Sequence, residues 1–186
     1  MNKGKIVTAK PMTESTIGKI KKLLVDDPKW HSLFVVSVNS AFRASDLLKL
    51  KVDEIEDDGN RIVIFKKEMK TSKNRRVMLG TTASKVLRGW IKMSKPATYI
   101  WPGQRGRHTY GFYSWLLKRW VVQVGDDPKG ISTHSTRKAW VKIHIERHKT
   151  PMHVLMRALS HSSEAQVLAY AGITPRDLEV AFSQEI

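Results

Sequence analysis

From Thr13 onward, apolar residues recur at helical spacing: Ile17, Ile20, Leu23 and Leu24, with Lys19, Lys21 and Lys22 between them. The run Thr13-Glu14-Ser15-Thr16 offers N-cap oxygens, and Asp27-Pro28 is expected to end this helix. A second helix is expected from Trp30 to Ala41, and a third across SDLLKL with Ser45 as its N-cap. The period then falls to two. VDEI, RIVIF and RRVML read as short strands. Asp57-Asp58-Gly59-Asn60 is a turn between the first two, and Lys70-Thr71-Ser72-Lys73-Asn74 is a polar turn before the third.

After the strands the helical period returns. Thr81 or Thr82 caps a helix carrying Val86, Leu87, Trp90 and Ile91, and Pro96 stops it. TYIWPGQRGRH is a loop, and TYGFYSWLLKRWVVQV is an aromatic helix. Trp115, Trp120 and Trp140 occupy helical positions suited to packing in a core. STHSTRKAWVKIHIERH is a further helix. Thr150-Pro151 opens the next, with Thr as N-cap and Pro at the first helical position. Ser162 or Ser163 caps a short helix ending near Tyr170 and Gly172. Thr174-Pro175 opens a last helix, with Asp177 in its first turn and Leu178, Ala181 and Phe182 on one face. There is no internal repeat and no long linker. The expected fold is mainly α with a small antiparallel β-sheet (α+β): a basic arm at 1–12, one domain at 13–173 and a C-terminal helix at 174–186.

Composition narrows the function. A chain of 186 residues with 41% hydrophobic residues can bury one proper core. With no cysteine, disulfides, thiol catalysis and cysteine-ligated zinc are excluded. No apolar run is long enough for a membrane span, and a cytoplasmic location without a membrane partner is expected. Charge is more telling. Lys and Arg number 33 against 17 Asp and Glu, a formal net charge of +16. Such an excess suits a polyanionic partner, with nucleic acid first and an anionic membrane surface second.

Four stretches carry candidate chemistry. In THSTRKAW, His134 and Arg137 are three apart on one helical face, and both can donate hydrogen bonds to an anion. A capped helix with a solvated arginine would look the same. In AFRASDLLKL, Asp46 follows Arg43 at a spacing that lets a carboxylate orient a guanidinium, although a surface ion pair fits equally. The turn in KKEMKTSKNRRVML begins at Lys70, with Lys66, Lys67 and Lys73 nearby; most of these lysines would be solvated. In LSHSSEAQVLAYAG, Tyr170 follows His161 by nine residues near the end of a helix. A tyrosine hydroxyl is a poor nucleophile at its free pKa and needs cationic neighbours.

In the order Arg43, Lys70, His134-x-x-Arg137, His161, Tyr170, the set resembles the tyrosine recombinase (phage integrase) family over residues 13–183. AFRASDLLKLKVDEI is similar to that family's first arginine box, THSTRKAW to its His-x-x-Arg box, LSHSSEAQVLAY to its closing box, and Lys70 to its β-turn lysine. Ala41 and Ser160 stand where glycine is common. Most members carry an N-terminal core-binding domain, whereas about a dozen residues precede the match here. The resemblance therefore implies a short form, with a core-binding or accessory partner as one way to complete the DNA clamp.

The resemblance further implies a site-specific recombinase that cleaves and rejoins duplex DNA through a 3′-phosphotyrosine. Tyr170 would be the nucleophile, Arg43, Arg137, His134 and His161 the phosphate cradle, Lys70 the general acid, and Asp46 the orienter of Arg43. It implies no metal and no cofactor, and self-association into dimers or tetramers on DNA, with the C-terminal helix docking on a neighbouring protomer. Lys66, Lys67, Lys73, Arg75, Arg105, Arg107 and Lys138 are the candidate DNA contacts. Two other functions remain to be weighed: DNA relaxation of the type IB topoisomerase kind, and a non-catalytic DNA-binding regulator. Zinc is disfavoured because HIERH is not H-E-x-x-H and no third ligand stands near His144 and His148.

Overall fold

The structure is a computed structural model that describes residues 9–67, 74–104, 106–173 and 183. Helix α1 spans Glu14–Leu23, α2 Pro28–Ser40 and α3 Ala44–Leu47. Strands β1 (Ile55–Asp57), β2 (Ile62–Lys67) and β3 (Asn74–Met78) follow, then α4 (Thr81–Ser94), α5 (Tyr110–Gln123), α6 (His134–Glu146), α7 (Met152–Leu159) and α8 (Glu164–Ala171). The architecture is the expected α+β one. Five local expectations are corrected. Asp27-Pro28 starts a helix: the Asp27 carboxylate accepts the Trp30 N–H and Pro28 sits in the first turn of α2, while α1 has already ended at Leu23. Arg43, not Ser45, is the N-cap of α3. Val52–Glu54 is a 3-10 turn, so β1 begins only at Ile55. Gly80, not a threonine, caps α4. Pro151, not Thr150, is the N-cap of α7. In each case the propensity signal was present and the boundary moved with the tertiary environment.

The central helix is α2, buried nearly all round through Leu33, Phe34, Val35, Val36 and Val38. It packs against α4, α6 and α1. The main core adds Ile20, Leu87, Trp101 and Leu117. Trp120 is buried, but Trp115 is 50% exposed, against the expectation of core packing. Trp115 stacks on Phe112 and lies under the Arg119 guanidinium. A second, smaller cluster joins Ala41, Val141, Leu155, Leu159, Val167 and Ala171 between the end of α2 and helices α6 to α8, with Tyr170 packed against it.

The sheet is antiparallel in the order β1-β2-β3, with Ile64 opposite Val77 and Lys66 opposite Arg75. Alternation puts Ile62, Ile64 and Lys66 on the inner face of β2, and Phe65 and Lys67 on the outer one. The chain enters along the loop before α6: the Lys10 N–H donates to the Gly130 carbonyl and the Met12 N–H to that of Ser135. Among the described residues no helix is long and apolar enough to cross a membrane.

Candidate active site

The first arginine follows the C-terminus of α2. Ala41 turns the chain with φ of 50°, and Arg43 then opens α3, its carbonyl accepting the Asp46 and Leu47 N–H groups. Asp46 is buried at 1% exposure, so its carboxylate is held inside the fold.

The second box lies at the start of α6. His134 is exposed in the first turn. Arg137, one helical turn on, is 1% exposed. Its guanidinium donates to the Ala41 carbonyl at 2.6 Å and to the Leu159 carbonyl at 2.8 Å. One side chain therefore ties the segment leading to Arg43 to the segment leading to His161. Arginine suits this bridge because its fork holds two acceptors at once while keeping its charge.

The third box spans the α7–α8 connection. Ser160 ends α7 in the left-handed region with φ of 57°. The His161 N–H then bonds the Met156 carbonyl. Ser163 is the N-cap of α8, but its side chain makes no capping bond; instead Gln166 accepts from the Ser162 N–H and donates to the Ser162 hydroxyl. Tyr170 sits in the last turn of α8, and Gly172 terminates the helix with φ of 80°.

These elements converge on the Tyr170 ring. The His161 ring meets it edge-on at 5.1 Å between centroids, and the His134 ring at 6.5 Å. The Arg137 guanidinium carbon is 5.6 Å from the ring centre and Lys138 Nζ is 5.5 Å from it. Arg137 also hydrogen-bonds the phenol side chain. Burial pushes the Tyr170 phenol above its ordinary pKa, while the Arg137 and Arg43 charges and the Arg137 hydrogen bond pull it back. Tyr170 is thus a protonated phenol under the influence of two guanidiniums. Tyr110, at the start of α5, also lies within its electrostatic reach.

Arg43, His134, Arg137, His161 and Tyr170 are therefore brought together. Lys70, Lys73 and Arg105 fall outside the described residues, as do residues 1–8 of the N-terminal arm and Leu178, Ala181 and Phe182 of the C-terminal segment. Three expected DNA contacts are corrected: Lys66, Arg75 and Lys138. Lys66 is buried, and its Nζ donates to the Lys49 carbonyl at 2.8 Å and to the Glu54 carboxylate at 2.7 Å. Arg75, directly opposite it, is also buried; it donates to the Ser40 and Ala41 carbonyls and lies over the Phe42 ring. Both point inward because they share the sheet face of Ile62, Ile64 and Val77, a parity readable from the period-two pattern. Lys67 and Arg107 are exposed. Lys138, expected on the DNA surface, is instead 8% exposed against Tyr170. Sequence reasoning missed Tyr110 and this position of Lys138. The signal for the latter was the i, i+4 step from His134, which puts both on one helical face.

A cleft of about 1430 Å³ reaches this cluster through Ser160 and His161; Tyr170, Arg43 and Arg137 do not line it. Its walls include His144, His148 and His153. His144 packs on Trp140 at 3.9 Å and hydrogen-bonds Thr150. Among the described residues no group of three or more metal-ligating side chains exists.

A half-buried tyrosine ringed by two arginines and two histidines, on helices that flank a small antiparallel sheet, defines the catalytic domain of a tyrosine recombinase. The fold is that of the XerA recombinase, with a TM-score of 0.79 at 15% identity over 96% of this chain and 67% of that one. XerH bound to its difH substrate aligns with a TM-score of 0.73 at 19% identity, over 93% of this chain and 53% of XerH. The phage integrase family model matches residues 10–176, and the chain belongs to that family of site-specific recombinases. YoeC of Bacillus subtilis, described as a probable integrase/recombinase, is 26% identical over 89% of this chain and 90% of its own. Two integrase/recombinase relatives from Sinorhizobium fredii are longer, and the chain spans 59% and 47% of them.

Proposed function

We propose that this chain cuts and rejoins duplex DNA at a defined site, with Tyr170 as the nucleophile. The observation that carries the reading is the convergence of His134, Arg137 and His161 on the Tyr170 ring, with the Arg43 charge acting on the same phenol. A phosphodiester resists attack because negative charge builds on its non-bridging oxygens, and fixed cations offset that charge. In the forward step the Tyr170 Oη–P bond forms and the bond from phosphorus to the 5′-oxygen breaks. The phenol proton leaves Tyr170 and the 5′-oxygen takes up a proton, for which Lys70 is the candidate donor. The products are a 3′-phosphotyrosine and a free 5′-hydroxyl. Attack by a 5′-hydroxyl from a partner strand reverses the chemistry, and the covalent link conserves the bond energy without a nucleotide. Asp46, Lys67, Lys73, Arg105 and Arg107 complete the proposed site, the first as a support for Arg43 and the others as backbone contacts that position the duplex.

The test is covalent capture. A pool of nicked duplexes with one randomised arm is incubated with the protein, denatured in SDS, and the adduct is mapped by mass spectrometry. An adduct on Tyr170 that Tyr170→Phe abolishes is the expected result. Capture by the phenylalanine variant, or adducts on another residue, would overturn the assignment. Sequencing the captured DNA then reads the site, and recovery without sequence preference would favour relaxation over recombination. We also infer that the acidic, amphipathic stretch TPRDLEVAFSQEI serves assembly of protomers on DNA. Deleting residues 174–186 should impair synapsis of two sites more than capture of a single site; equal loss of both would sink this inference.

A further inference from the structure

We propose that Lys138 is a positioning residue for the nucleophile: its ammonium, lying over the Tyr170 ring, fixes the ring and favours loss of the phenol proton. The inference rests on the reading of Tyr170 as nucleophile.

Lys138 is the residue after Arg137, so it points about a quarter-turn away from it around α6. His134, one turn earlier, shares its face. The structure places both on Tyr170, with Lys138 Nζ 5.5 Å from the ring centre. The side chain is 8% exposed. Among the described residues no carboxylate or carbonyl pairs with its Nζ; Tyr170 is its contact. A lysine serving only the duplex backbone would extend into solvent, where its charge is cheaply hydrated. A lysine serving only the core would be a poor choice, because burial penalises its charge. That penalty is present here, since burial lowers the Lys138 pKa. An aromatic face offsets part of it by attracting a cation.

The consequence falls on Tyr170. Among the described residues, the groups around the phenol are cations and imidazoles, Arg43 before α3, His134, Arg137 and Lys138 on α6, and His161 after α7, together with the phenol of Tyr110 on α5. Among the described cations near the phenol, the charge of Lys138 can be removed without cutting the Arg137 bridge. The 5.5 Å runs to the ring centre; a unit charge acting on the phenol oxygen over roughly such a distance, in a partly solvated site, would be worth about one pH unit. No proton passes through Lys138 in this scheme. The Tyr170 Oη–P bond still forms as the phenol proton departs, and the ammonium offsets the charge left behind.

The test replaces Tyr170 with 3-fluorotyrosine and follows its 19F signal against pH in the folded, DNA-free protein. Lys138→Met should raise the ionisation midpoint by about one unit, and Lys138→Arg should leave it within a few tenths of the wild-type value. In the native-tyrosine background, Lys138→Met should slow covalent capture about tenfold at neutral pH and regain rate as pH rises. The slope of its affinity for a generic duplex against salt should not change. A midpoint unmoved in Lys138→Met would overturn the proposal, as would a salt slope lowered by about one with capture at saturating DNA intact, the mark of a phosphate contact. Thermal melting confirms that each variant is folded; if the methionine variant is not, Lys138→Gln carries the same comparison. Because the fluorine titration needs no DNA, it separates failure of this proposal from failure of the nucleophile assignment, which shows as no capture by the wild-type protein.

Discussion

Replacing Arg137 with lysine separates a bridging role from a purely substrate-binding one. Its guanidinium is 1% exposed and spans two carbonyls, Ala41 at 2.6 Å and Leu159 at 2.8 Å, on residues that are themselves fully buried. Lysine keeps the charge but has one terminal nitrogen on a flexible stem, so it reaches one of the two acceptors. Hydrogen bonds from charged donors contribute about 1.5–3 kcal/mol each, and a stranded buried carbonyl adds a desolvation cost. The expected destabilisation is therefore about 2–4 kcal/mol. For a chain of this size it corresponds to a fall in Tm of roughly 5–15 °C. Guanidinium chloride unfolding with an unchanged m-value, together with a thermal melt, measures it. If the arginine were held solely for a DNA phosphate, lysine would keep the same charge without losing any bond in the free protein, and the exchange would be close to neutral. An Arg137→Lys protein as stable as the wild type would refute the bridge.

Two further predictions follow from local geometry. Ser160 occupies the left-handed region with φ of 57°, where a side chain costs about 1–2 kcal/mol and glycine does not, less the entropy glycine loses on folding. Ser160→Gly should gain about 0.5–1 kcal/mol in chemical denaturation, and a loss of stability would show that the serine hydroxyl contributes there. Burial lowers the pKa of His31, His108 and His144, with further help from Lys21, Lys29 and His148 respectively. The folded state then binds fewer protons than the unfolded chain just below the ordinary histidine value. Their contribution is complete above about pH 6.5 and is lost as pH falls below it. Unfolding midpoints at pH 7.5 and 5.0 should differ in that direction, and His144→Phe should narrow the gap. An equal gap in that variant would exclude His144 as a contributor.

Much of this protein was readable as a string. Hydrophobic spacing marked α1, α2, α4, α5, α6 and the second and third strands, because periodicity is a local property that burial of one face imposes. The order and spacing of Arg43, His134, Arg137, His161 and Tyr170 marked the candidate site through their resemblance to the tyrosine recombinase boxes, and fixed cations suit a reaction at a phosphodiester. What the string left open is where each cation spends its charge. Lys66 and Arg75 look like surface cations until the sheet register sets them opposite each other on the inner face, with Glu54 and backbone carbonyls waiting. Arg137 reads as a phosphate ligand until the ends of α2 and α7 arrive within reach of its fork. Lys138 reads as a DNA contact until α8 lays Tyr170 beneath it. A charge is classified by its partners, and these come from segments tens of residues away. The sequence determines which groups are available for the chemistry, and only the tertiary structure decides which of them are bound up in holding the site together.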